Sequence, residues 1–132
     1  MTRKLILDLD TGIDDSLAIA YTLASPEAEL IGVTATYGNV LMRDSVRNSL
    51  AVLDLLGAPG IPVHPGLPCA SSAGDFSVQE ISAFIHGRNG IGEVDIADSR
   101  RSAETTGAVD VIIEASRRYG DDLSLVQFVH YL

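Results

Sequence analysis

The chain has no tryptophan, a single cysteine and only 9 Lys and Arg against 18 Asp and Glu. Each shortage excludes something. One cysteine, Cys69, rules out an internal disulfide and suits a reducing compartment, so a cytoplasmic location is expected. Cys69 itself reads as a small buried or loop thiol. A net charge of −9 argues against binding nucleic-acid backbone, which needs clustered basic groups, and against anionic membrane surfaces. No apolar run approaches the ~20 residues of a membrane span. The opening MTRKLILDLD has its short apolar run broken at once by acids, so it does not serve as a signal peptide. Repeats and low-complexity tracts are also missing. What remains is a globular composition, 46% hydrophobic with few aromatics, in 132 residues, enough for one domain with a single core.

The order of elements can be read from hydrophobic patterning. Residues 4–9 form a short, almost continuously apolar run, as expected of a strand buried on both faces of a parallel sheet. Asp14 and Asp15 are good N-cap types, and SLAIAYTLA after them has helical length and composition until Ser25-Pro26 ends it. AELIGVTATYG is rich in β-branched residues and predicts a second strand. In MRDSVRNSLAVLDLLG, Val46, Leu50, Leu53 and Leu56 recur at three- and four-residue steps, and Gly57 stands at the C-cap. IPVHPG is a short third strand, at whose end His64 is expected to pack. Residues 65–107 then lose periodicity except for SVQEISAFI, and a segment of that length suggests a lid or binding loop. AVDVIIEASRRYG and LSLVQFV supply a last helix and a fourth strand. The order β-α-β-α-β-loop-α-β predicts an α/β fold, a parallel, doubly wound, Rossmann-like sheet with right-handed crossovers. Ligands of such sheets bind beyond the carboxyl ends of the strands.

That edge is where LILDLDTGIDDSLAIA places four aspartates within eight positions: Asp8, Asp10, Asp14 and Asp15. Positions 8 and 10 of a strand share a face, Gly12 permits a tight turn, and the last two open a helix. As many as four carboxylates could therefore converge. Like charges at that range repel, and the remedies are raised pKa values or a bound cation, for which carboxylate oxygens suit Ca²⁺ or Mg²⁺. The bland alternative is helix capping, worth roughly 0.3–1 kcal/mol. It accounts for Asp14 and Asp15 but leaves Asp8 and Asp10 as expensive charges in an apolar strand.

DLDTGIDDSLAI resembles the Asp-x-Asp-x-Gly-x-Asp-Asp signature of the nucleoside hydrolases, the inosine–uridine-preferring N-ribohydrolase family. IGVTATYGNV is similar to that family's second strand, and FIHGRNGIG to its mobile His-Gly loop. The resemblance implies Ca²⁺ held by Asp10 and Asp15, with Asp10 also the general base toward a metal-bound water. It implies Asp14 and Asn39 on the ribose hydroxyls, His86 in a loop closing over substrate, and Asp8 in support. The implied reaction is hydrolysis of a ribonucleoside to ribose and free base through an oxocarbenium-like transition state. A small-molecule substrate and a homo-oligomer of the full-length family are implied as well. Such chemistry suits these residue types, since carboxylates stabilise a developing cation and select for ribose hydroxyls.

After LSLV the chain departs from the family, reading QFVHYL where a Gly-Pro-Leu-Thr-Asn segment is expected. The change at Gln127 resembles a truncation or frame change, and His130 within it carries no assignable role. The expectation is an incomplete domain, the N-terminal part of a nucleoside hydrolase over residues 1–132, with an exposed fourth-strand edge and a weakened Ca²⁺ site. Two other readings compete. One is a non-catalytic truncated paralogue or binding module. The other is a haloacid dehalogenase-like, Mg²⁺-dependent phosphatase, which also begins with a strand ending in Asp-x-Asp, although two further acids at the helix start would repel phosphate.

Overall fold

The computed structural model describes residues 2–128. The chain runs β1 (Arg3–Leu9), α1 (Ile13–Ala24), β2 (Ala28–Ala35), α2 (Met42–Leu55), β3 (Val63–Pro65), α3 (Glu80–His86), α4 (Ala108–Tyr119) and, after a single 3-10 turn at Gly120–Asp122, β4 (Leu123–Gln127). The four strands lie in the order β3-β2-β1-β4, and every pairing is parallel. This is the doubly wound α/β sheet expected from the patterning.

The order of strands places the site. From β1 the chain steps outward to β2 and β3, then returns across the sheet to add β4 on the other side of β1. Right-handed crossovers put α1 and α2 on one face and α4 on the other. The direction of winding reverses between β1 and β4, and the crevice at the carboxyl ends of those strands is where an open sheet has room for a ligand. Asp8 lies in β1 and Asp10 just past its end.

The two faces are packed unequally. Leu7 and Leu9 of β1, Leu30, Val33 and Ala35 of β2, Val63 of β3, Ile19 of α1 and Leu50, Val52 and Leu53 of α2 form one buried cluster. Burying a large aliphatic side chain contributes roughly 1.5–3 kcal/mol, so this face carries most of the hydrophobic stabilisation. On the other face α4 fully buries only Ala115, and its Val109 is 63% exposed.

Two details differ from the patterning. Helix α1 starts at Ile13 with Gly12 at its N-cap, so Asp14 and Asp15 sit inside the first turn, where Asp15 closes a capping box by accepting from the Gly12 N–H. The cap needs a β-region backbone, which Gly12 adopts, and the acids then lie where the helix dipole favours negative charge. Leu56 lies past the end of α2 and is exposed, outside the buried stripe. Residues 65–107 hold one short helix, α3, and their second half is strapped along α2. Arg47 pairs with Asp98 at 2.5 Å, and Arg101 pairs with Asp54 and donates to the Ile61 carbonyl, both at 2.9 Å.

The strap returns at β3, where Glu104 N–H donates to Val63 O (2.8 Å) and His64 Nδ1 meets Thr106 O at 2.8 Å. His64 is therefore a buried packing residue at a strand end, as expected. Cys69 is a half-buried loop thiol. Strand β4 is an edge strand among the described residues, paired to β1 alone, with Leu125 exposed. His130 lies outside the described residues. No described helix is long and apolar enough to cross a membrane.

Candidate functional site

Past the strand ends the backbone ladder continues, with Thr36 N–H donating to Leu9 O and Gly66 N–H to Ala35 O, both at 2.8 Å. This holds residues 36–39 beside Asp10. Asp10 is 2% exposed, and its Oδ2 accepts from the Asn39 backbone N–H at 2.6 Å. The approach is possible because residue 38 is glycine: a Cβ there would lie 2.2 Å from Asp10 Oδ2. Asn39 is buried as well.

Asp15 is completely buried, and its Oδ2 receives a long hydrogen bond, 3.4 Å, from Gly12 N–H. Its Oδ1 is buried and meets no donor among the described residues. The Asp10 carboxyl lies within hydrogen-bonding reach. Burial, that contact, and the charges of Asp10 and Asp14 together push the Asp15 carboxyl up to about 8, against a small opposing effect of the Gly12 N–H. Near neutral pH the two buried carboxyls therefore share a proton.

The four aspartates do not all converge on one volume: Asp14 lies near enough for its charge to act on Asp15, while Asp8 stands apart. Asp8 is turned into the sheet, its Oδ1 accepting from Thr34 Oγ1 (2.5 Å) on β2 and its Oδ2 from Gln127 Nε2 (2.8 Å) on β4. Those donors, on the strands flanking β1, keep it away from Asp15. Asp14 points outward from the first turn of α1 with a side chain 53% exposed. Among the described residues no group of three or more His, Cys, Asp and Glu side chains is arranged to hold a metal ion. What the edge offers a cation is the Asp10–Asp15 pair.

His86 sits elsewhere than a mobile loop suggests. It is the last residue of α3, buried against the start of α1, with Nδ1 accepting from Ile13 N–H at 3.2 Å and lying 3.7 Å from Asp14 Oδ1. Accepting at Nδ1 requires the proton on Nε2. Gly12 makes the contact possible, since a Cβ on it would stand 2.6 Å from His86 Nδ1 and 3.2 Å from Asn39 Nδ2. Asp14, Asn39 and His86 thus gather around the turn that carries Asp10 and Asp15.

A buried polar stripe on α2 is not legible from the sequence pattern. Ser45 Oγ donates to Leu9 O (3.0 Å), Ser49 Oγ and Thr11 Oγ1 are 2.7 Å apart, and Asn48 Nδ2 donates to Thr11 O (3.2 Å) and Asn89 O (2.8 Å). All three stripe residues are buried. The sequence does carry a signal, three small polar residues at i, i+3 and i+4, but such a row ordinarily marks a solvated face.

Known proteins match this chain in sequence and fold. Residues 5–128 match the family model described as inosine-uridine preferring nucleoside hydrolase. The chain is 56% identical over 94 residues to an uncharacterized protein in the ribF 3′ region of Corynebacterium ammoniagenes, covering 71% of this chain and 98% of that one. It is 33% identical to uridine nucleosidase 1 of Arabidopsis thaliana, over 94% of this chain and 36% of that protein. The solved structure of a purine-preferring ribonucleoside hydrolase from Gardnerella vaginalis superposes with a TM-score of 0.93 at 61% identity, over 95% of this chain and 40% of that one. The chain thus spans well under half the length of these named hydrolases. These matches do not favour the phosphatase reading. The chain belongs to the inosine-uridine preferring nucleoside hydrolase family.

Proposed function

We propose that this site serves hydrolysis of the N-glycosidic bond of a ribonucleoside, giving ribose and the free base. The observation that carries the proposal is the buried Asp10–Asp15 pair at the reversal point of a parallel sheet. Two buried carboxyls side by side are costly unless something offsets their charge, and the lone Oδ1 of Asp15 marks where a partner is missing. All-oxygen donors suit Ca²⁺, so Asp10 and Asp15 would hold it, supplying part of the 6–8 oxygens the ion takes. Bound there, Ca²⁺ would acidify and orient a water and neutralise the pair.

The remaining steps belong to the chain's own side chains. Asp10 accepts the proton that the water loses as its oxygen bonds to the anomeric carbon, while the C–N electron pair leaves with the base, which takes up a proton from solvent. The Asn39 N–H holds Asp10 in place for that transfer. Asp14 and Asn39 take the ribose hydroxyls, which gives preference for ribose over deoxyribose because a site built to hydrogen-bond a hydroxyl discriminates against the analogue lacking it. The negative charge of the edge favours an oxocarbenium-like transition state. Asp8 steadies β1 from behind through Thr34 and Gln127. His86 packs beside Gly12, and its role in this reading is to close the sugar side of the site.

The test is ribose release from inosine and from uridine by the purified 132-residue chain, with Ca²⁺ and with a chelator. The expected result is release that needs Ca²⁺ and disappears in Asp10→Asn. Release that is equal in Asp10→Asn contradicts the role given to Asp10, and release in neither protein contradicts hydrolysis by this chain and leaves the binding-module reading.

A further inference from the structure

We propose that Asn48, on α2, is a positioning residue that latches residues 87–93, and with them His86, onto the turn carrying Asp10 and Asp15. Its functional meaning rests on the reading of His86 given above; its geometry does not.

Residues 87–93 brace themselves. Glu93 Oε1 accepts from the N–H groups of Arg88 and Asn89, Asn89 Oδ1 accepts from those of Ile91 and Glu93 (both 3.0 Å), and Gly92 N–H donates to His86 O at 2.7 Å. Gly87, Gly90 and Gly92 take positive φ, as does Glu93 at 59°. So constructed, the segment can move as a unit, and what matters is where it is fastened. Asn48 is 2% exposed and spends both amide hydrogens on two carbonyls of different segments, Thr11 O beside Asp10 and Asn89 O inside the brace.

Gly90 is fitted to the same point. A Cβ on it would stand 2.4 Å from Val40 Cγ1 and 3.0 Å from Asn48 Nδ2, on a backbone of φ +81°. At the near end of the unit, His86 accepts from Ile13 N–H, so the latch also bears on the first turn of the helix that carries Asp14 and Asp15. Ser49 touches the same strand end through Thr11 Oγ1 but makes no such bond to the brace. The two neighbours on one helix face therefore separate latching from simple core support.

The measurement is amide hydrogen exchange by NMR on the 132-residue chain without ligand, comparing wild type, Asn48→Ala and Ser49→Ala. In Asn48→Ala the amides of Ile13, Gly90 and Gly92 should exchange at least about tenfold faster than in Ser49→Ala, with the core amides of Leu7 and Val33 alike in the two. The His86 Nδ1 resonance should also lose its hydrogen-bonded acceptor shift only in Asn48→Ala. Equal acceleration in both variants, or uniform acceleration of loop and core, overturns the proposal. Should Asn48→Ala not fold, Gly90→Ala reaches the latch from the loop side and should give the same local pattern, and its failure to do so counts equally against it. No nucleoside or Ca²⁺ enters the measurement, so its outcome is independent of whether hydrolysis is found.

Discussion

Asp10 and Asp15 form the floor of the site, Asp8 and Asp14 its flanks, and the same side chain has a different task in each place. On the floor both carboxyls are buried, and together with the nearby Asp14 charge they hold one pKa near 8. On the flanks Asp8 is satisfied by Thr34 and Gln127, and Asp14 is half in water beside His86. The comparison teaches that position in the motif does not assign chemistry. The number of donors left over after folding does. A carboxylate with two good donors is finished; one with a bare buried oxygen is waiting for a proton or a cation.

Substitution should sharpen that contrast, and the largest effect is expected at Asp10. Asp10→Asn removes the proposed base and one of two cation-holding carboxylates, so ribose release should fall at least roughly a hundredfold. The same change removes a buried like charge, so the metal-free protein should melt at a higher temperature than wild type above neutral pH. A variant less active and less stable together would contradict the role given to the pair.

Next in size is the pH dependence of the metal-free protein. The folded carboxyl of Asp15 titrates near 8 and its unfolded counterpart near 3.8, so the folded state holds the extra proton between those values. The stability this contributes is complete below pH 3.8 and is lost as pH rises through about 8, each pH step of one within that interval removing on the order of 1.4 kcal/mol. Urea midpoints should therefore decline from pH 5 to pH 8 in wild type and much less in Asp15→Asn. Parallel declines in the two proteins would place the titrating group elsewhere.

The flanks should respond less. Asp8→Ala strands Thr34 Oγ1 and Gln127 Nε2 and should cost about 1–3 kcal/mol in denaturant titrations, with Ca²⁺ affinity changed less than about twofold. Asp14→Asn, at a half-exposed position, should shift stability by within about 0.5 kcal/mol, its effect appearing instead as a raised KM for ribonucleosides. If Asp14→Asn matched Asp10→Asn in stability, the division between floor and flank would fail.

Much of this architecture is legible in the sequence because its signals are local. The apolar run of β1, the β-branched run of β2, the heptad-like spacing in α2 and the glycines at 57 and 120 each report on a few neighbouring residues. What stays hidden is non-local. Alternation along a strand says that positions 8 and 10 share a side, but not that Thr34 and Gln127 would hold the first of them. A histidine in a glycine-rich stretch looks solvated, and its burial against Ile13 depends on a contact 73 positions away. Ser45, Asn48 and Ser49 look like a water-facing row until the end of β1 is laid against them.

Whether Asp10 and Asp15 together hold a cation can be read from a calcium-dependent thermal shift at pH 8. Ligand bound only by the folded state raises stability with the logarithm of its concentration. Wild type should gain melting temperature steadily across micromolar to millimolar Ca²⁺, and both Asp10→Asn and Asp15→Asn should lose that gain, while Asp8→Asn keeps it. A flat wild-type response up to millimolar Ca²⁺, or an equal rise in the Asp15→Asn protein, would mean that the pair does not hold calcium.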